Sequence, residues 1–199
     1  MIKYRQLRTV APKQGDNMYI KKINPYKLTD DDLDKKVTRV KVLIFTDDNK
    51  LLLCNVDGKY TYIGGHVEEN EKLINALIRE LSEETGICLN NLDEKPFLKI
   101  EKWNKNHFDT GKKCLSEIYY YSLHTNKEIE YEKMNLDKSE KLKNFFLRYI
   151  DIDEFYNYLD YHKNYLHSEL HSEMLYVLNY YIKKMCRGKS DEKKYRKTL

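Results

Sequence analysis

The stretch GHVEENEKLINALIRELSEETGI, Gly65 to Ile87, decides how this chain is read. From Lys72 to Thr85 the apolar residues Ile74, Leu77, Ile78 and Leu81 recur at helical spacing, and Gly86 supplies a C-terminal stop. On a helix, Glu80, Glu83 and Glu84 fall at relative angles of about 0°, 300° and 40°, so the three carboxylates share one side. Leu81, Ile74 and Ile78 fall at about 100°, 120° and 160°, which lets the neighbouring stripe dock on a sheet while the Glu side stays open. Three such carboxylates repel one another, and a cation or a basic side chain must offset that if all are to stay ionised. Hard oxygen donors without His or thiolate suit Mg²⁺ or Mn²⁺, which takes its remaining ligands from water and phosphate. A phosphate ester or anhydride is the substrate this implies.

Outward from that helix the chain reads as alternating sheet and helix. On the N-terminal side, VTRVKVLIFT from Val37, the turn DDNK and then LLLCNV read as a hairpin, and Tyr60 to Ile63 as a further short strand that Gly64 and Gly65 break. Beyond it, FLKIEKW, LSEIYYYSLHT and FFLRYI read as strands, with a charged stretch from Asn126 to Lys143 between the last two. Asp151 or Asp153 can cap the helix that follows, and Ser168 to Met185 repeats its apolar positions at helix spacing. The expected organisation is a lead-in over residues 1–36, a main domain over 37–185 and a basic tail over 186–199. In the lead-in, Thr29 can cap a short helix ahead of the run DDDLDKK.

Composition narrows the class. The 199 residues are 41% hydrophobic and 34% charged, with 7 Gly and 3 Pro, which fits one globular domain with a heavily charged surface. Neither a membrane span nor the apolar core of a secretory signal is read, so a cytoplasmic address is expected. Cys54, Cys88, Cys114 and Cys186 are scattered, form no C-x-x-C pair and are read as reduced thiols. The net charge of +4 belongs to the tail, because eight Lys or Arg against two acidic residues lie from Lys183 onward.

Three Glu at helical spacing, taken alone, describe an ordinary solvated face. The full pattern is more specific. It resembles the Nudix box, G-x5-E-x7-R-E-U-x-E-E-x-G-U with U aliphatic, at every defined position: Gly65, Glu71, Arg79, Glu80, Leu81, Glu83, Glu84, Gly86 and Ile87. The resemblance implies an α/β/α sandwich with a mixed β-sheet over roughly Val37 to Leu159, to which the C-terminal helix is an addition. It implies metal-dependent hydrolysis of a phosphoanhydride bond in a nucleoside diphosphate linked to a further group. Glu80, Glu83, Glu84 and the Gly65 carbonyl are the implied ligands of Mg²⁺ or Mn²⁺. Glu80 or Glu83 is implied to help activate water, and Arg79 and Glu71 to orient the glutamates.

The approach to the box departs from the W-x-L-P-G-G of many relatives, since Tyr60, Thr61, Tyr62, Ile63, Gly64 and Gly65 stand there. A further Glu beyond the defined box positions serves some members, and Glu68, Glu101 and Glu117 are the candidates. Tyr60, Tyr62 and Trp103 are candidates to stack on a base, although most of the 18 Tyr must be ordinary core or surface residues. The partner expected is a small nucleotide derivative, with no membrane. Competing readings are a nucleotide-sensing module without turnover and removal of a 5′ diphosphate from RNA, the latter resting on the basic tail. A homodimer is an expectation from the family alone.

Overall fold

The computed structural model describes residues 18–89, 95–107, 110–162 and 168–186. Among them seven strands form one sheet: β1 (Tyr19–Ile23), β2 (Lys35–Phe45), β3 (Lys50–Val56), β4 (Lys59–Thr61), β5 (Leu98–Asn104), β6 (Cys114–His124) and β7 (Phe145–Asp151). The order is β1-β5-β6-β2-β3-β4, with β7 paired to β3. β1 with β5 and β2 with β6 run parallel, and the other pairs are antiparallel, so the sheet is mixed. The helices are α1 (Leu73–Thr85), the single turn α2 (Lys138–Lys141), α3 (Ile152–His162) and α4 (Ser168–Cys186).

Alternation along β2 divides the core into two layers. Val40, Val42 and Ile44 pack with Ala76, Leu77 and Leu81 of α1, whereas Leu43 and Phe45 pack with Phe155, Leu159, Met174 and Val177 of α3 and α4. The fold is the expected α/β/α sandwich. Each of these large aliphatic side chains, fully buried, contributes about 1.5–3 kcal/mol, so the docking of α1 rests on its Leu77–Leu81 stripe and not on a capping side chain. Gly86 ends α1 at φ +71°, and a Cβ there would lie 2.1 Å from the Glu130 carbonyl oxygen.

The β2–β3 hairpin opens after two pairs, Ile44–Leu52 and Phe45–Leu51. The vacated edge of β2 is taken by the approach to the box: Val42 pairs with Ile63 and Arg39 with His66 in isolated bridges. The Val42 amide donates to Ile63 O at 2.9 Å, Val40 to Gly65 O at 3.0 Å and Val67 to Thr38 O at 3.0 Å. This crossing explains why the predicted strand Tyr60 to Ile63 divides. Lys59–Thr61 pairs with β3, and the chain then passes over to β2.

Two further differences come from long-range pairing. Sequence patterning starts the sheet at Val37, yet Tyr19–Ile23 adds an edge strand beside β5. The turn after Thr29 is a single 3-10 turn, Asp30–Asp32, closed by Thr29 N and Oγ1, each donating to Asp32 Oδ2 at 2.9 Å. Asp151 caps α3, its Oδ1 accepting from Asp153 N at 2.9 Å. Cys54, Cys88 and Cys114 are free thiols. Among the described residues no helix is long and apolar enough to cross a membrane. The basic tail beyond Cys186 lies outside the described residues.

Candidate functional site

A single guanidinium organises the acidic face of α1. Arg79 Nε and Nη2 donate to the two oxygens of Glu71 at 3.0 and 2.9 Å, a bidentate grip. Its Nη1 donates to Glu80 Oε1 at 2.8 Å and to Glu83 Oε2 at 3.0 Å, and Nη2 also reaches the His66 carbonyl at 2.9 Å. Helical spacing makes this possible, because residues 79 and 83 are one turn apart. Glu71 also accepts from the Glu68 amide at 3.0 Å, so the loop that precedes α1 is tied to the helix through one arginine.

The remaining carboxylates contact the glycine pair. Gly64 N donates to Glu84 Oε2 at 2.7 Å. Gly65 faces Glu80 so closely that a Cβ would fall 2.5–2.6 Å from all three atoms of its carboxylate group. At Gly64 the backbone has φ +123°, and a Cβ would lie 2.3 Å from the Val40 carbonyl oxygen. Gly64 is therefore fixed by its conformation and the rigid Val40 carbonyl, whereas at Gly65 a side chain would displace the Glu80 carboxylate.

The electrostatics follow from this geometry. Hydrogen bonding to Glu71, above all, holds Arg79 well above its already high range, and the same bond holds Glu71 below the usual carboxylate range. Burial pushes Glu80 up, and Arg79 opposes it. Glu80 and Glu84 are buried, whereas the Glu83 side chain is 34% exposed and is the carboxylate of the three most open to solvent. Among the described residues no group of three or more His, Cys, Asp or Glu converges at metal-binding spacing. Arg79 is the counter-charge shared by Glu80 and Glu83.

The structure thus brings Gly65, Glu71, Arg79, Glu80, Glu83 and Glu84 together. The other candidates separate. Glu101 and Glu117 are cross-strand partners on β5 and β6, both held by Lys99, at 2.9 Å in the case of Glu101. Glu68 is exposed in the box loop. Tyr62 is 1% exposed, packs edge-on to Tyr120 and Phe155, and donates its hydroxyl to Met174 O at 2.9 Å. Tyr60 packs on Phe155 and Tyr158 of α3, and its hydroxyl accepts from Arg148 at 3.0 Å. Tyr62 is therefore a core residue, while Tyr60 is half-buried against α3. Trp103 borders a cavity of about 330 Å³ beside β1 and α4, while strand alternation sets its side chain on the face of Lys99 and Glu101.

A cleft that sequence reasoning missed lies under α4, where two adjoining cavities of about 550 and 610 Å³ share Arg39, Lys59 and Glu173. Arg39 and Lys41 project into it from β2, and Lys41 also lies near Glu80. The signal was present in RVKVLIF, where two basic residues alternate with buried valines.

Comparison with known proteins gives the family. Residues 35–169 match the family model described as the NUDIX domain. The chain belongs to the Nudix family. It is a Nudix hydrolase by that membership, and relatives in the family bind nucleotide derivatives and generally use divalent metals. No curated protein is similar enough to count as a match. Among solved structures the chain is similar to a MutT protein from Methanosarcina mazei Go1, with a TM-score of 0.48 and 16% identity over 79% of this chain and 99% of that one. It is also similar to a Nudix-family hydrolase from Clostridium perfringens (0.43, 20%, 71% and 95%) and to an Ap4A hydrolase from C. elegans (0.45, 15%, 73% and 96%). At these scores the structural likenesses carry no weight on substrate.

Proposed function

We propose that this Nudix hydrolase cleaves a phosphoanhydride bond in a nucleoside diphosphate derivative, with Mg²⁺ or Mn²⁺ held by Glu80, Glu83, Glu84 and the Gly65 carbonyl. The observation that carries it is the Arg79 grip on Glu71, Glu80 and Glu83. It holds Glu80, which lies against Gly65, together with Glu83 of the same helix, in a way that a solvated helix face would not.

The donor set fits a hard cation. All four groups offer oxygen, and Gly65 leaves the space beside Glu80 free of a side chain. The Gly65 carbonyl accepts one hydrogen bond, from Val40 N, and keeps a second lone pair. When bound, the cation neutralises phosphate oxygens and lowers the pKa of a water. The chain's own residues do the rest. Arg79 and Glu71 restrain the helix and loop so that the carboxylates stay in register. Oε2 of Glu80 and Oε1 of Glu83 carry no hydrogen bond among the described residues, so either can accept the proton of the attacking water. The cleft under α4 adjoins this face through Lys41 and supplies the room for the nucleotide.

The test is release of phosphate or nucleotide from a panel of nucleoside diphosphate derivatives with Mg²⁺, with Mn²⁺ and with EDTA. Metal-dependent turnover of one class supports the reading and names the substrate. Tight binding of one nucleotide with no turnover across the panel overturns it in favour of a sensing module.

A further inference from the structure

Lys41 lines the cleft without a carboxylate at ion-pair distance among the described residues. Lys41 is half-buried on β2, and its Nζ donates to Tyr62 O at 2.8 Å and, more closely, to Gly64 O. Both acceptors are neutral main-chain carbonyls, and among the described residues no carboxylate stands at ion-pair distance from it. An ammonium has three donors, so one N–H remains available to the cavity of about 550 Å³ that Lys41 lines. Glu80 lies near enough to feel this charge without pairing with it, and an arriving anion gives the ammonium a direct charged partner.

The surroundings favour an anion. Arg39, two residues earlier on the same face of β2, lines the same cavity and directs its Nε to His66 Nε2 at 3.2 Å. Lys59 and Lys143 add positive charge at the wall. Two carboxylates line this cavity and both are engaged: Asp57 Oδ1 accepts from Asn144 N at 3.1 Å, and Glu173 accepts from Lys102 at 2.8 Å and from the Tyr120 hydroxyl at 2.5 Å. Four basic against two acidic side chains line the cavity, an excess of positive charge.

We propose that Lys41 binds a phosphate oxygen of the substrate on the cleft side of the scissile bond, while its bonds to Tyr62 O and Gly64 O keep the glycine pair in place. The inference rests on the hydrolase reading above for the words substrate and scissile bond. The anion site itself stands on the cleft. Lys41 is in this sense a positioning residue, joining the phosphate to the segment against which Glu80 lies.

The experiment is calorimetric titration of the full chain with inorganic pyrophosphate and with ADP in EDTA, for wild type, Lys41→Gln and Lys41→Arg, with thermal unfolding in parallel. Glutamine keeps donors for the two carbonyls and removes the charge; arginine keeps the charge. Lys41→Gln is expected to weaken both probes about tenfold or more, and Lys41→Arg to stay within about threefold, since a hydrogen bond between charged groups is the contact at stake. With substrate and metal, the Gln variant should raise KM more than it lowers kcat. Equal binding by wild type and the Gln variant overturns the proposal. So do equal losses in both variants with lower unfolding temperatures, and so does the absence of saturable binding to wild type. Metal-dependent turnover alongside any of these would leave the hydrolase reading standing, whereas Lys41-dependent binding without turnover would remove that reading alone.

Discussion

Arg79 and Glu71, eight residues apart, meet through two parallel N–H···O bonds of 3.0 and 2.9 Å, closing the box loop onto α1. Lysine at position 79 would keep a charge but could not reach Glu71, Glu80, Glu83 and the His66 carbonyl from one plane. Arg79→Lys is expected to lower kcat/KM by about 10–100-fold, the usual cost of losing a group that orients metal ligands. Steady-state kinetics across a range of Mg²⁺ concentrations checks this, and a variant with unchanged metal dependence would count against the role.

Glu83 is the most exposed of the three helix carboxylates and accepts one bond, from Arg79. Its replacement by Gln removes a proposed ligand and no core contact. Turnover is expected to fall roughly a thousandfold, the upper range for losing one preorganised electrostatic group, with little change in unfolding temperature. Wild-type-like hydrolysis would remove Glu83 from the site.

Gly64 and Gly65 should fail in opposite ways. At Gly64 an alanine meets the rigid Val40 carbonyl at 2.3 Å with φ at +123°, so Gly64→Ala is expected to cost about 1–3 kcal/mol of stability. At Gly65 the obstacle is the movable end of Glu80, so Gly65→Ala should unfold nearly as wild type while losing most of its activity. Denaturant melts and turnover, measured on both variants, separate the two effects.

His124 stacks on Phe45 at 4.9 Å with its ring tilted 18°, and burial lowers its pKa from 6.5. The unfolded chain therefore takes up the proton first. The stability this gives is present above about pH 6.5 and is lost as the pH falls toward the lowered folded value. His124→Phe keeps the stack and removes the titration, so the loss of stability between about pH 7.5 and 5.5 should be smaller than in wild type. Urea unfolding at the two pH values tests it, and identical slopes would exclude His124 as the contributor.

What could be read from sequence was local. The α1 stripe, the Gly86 stop and the common side of Glu80, Glu83 and Glu84 all arise within one helix, where spacing determines geometry. Placement that depends on remote partners was not legible. Tyr19–Ile23 becomes a strand because β5 offers a free edge, and nothing in YIKKI announces that. Tyr62 resembles a stacking residue in sequence, but the Met174 carbonyl and the rings of Tyr120 and Phe155 claim it for the core. Arg39 and Lys41 gained meaning once α4 closed a cleft over their face of β2.

The early opening of the β2–β3 hairpin leaves two peptide amides as built-in gauges. Val40 and Val42 bond across to Gly65 and Ile63, so their protons exchange with solvent when the glycine segment lifts from β2, while the β2–β6 ladder beside them stays closed. Deuterium uptake at these two positions reads the docking of that segment directly, in the resting protein and without any assay of turnover.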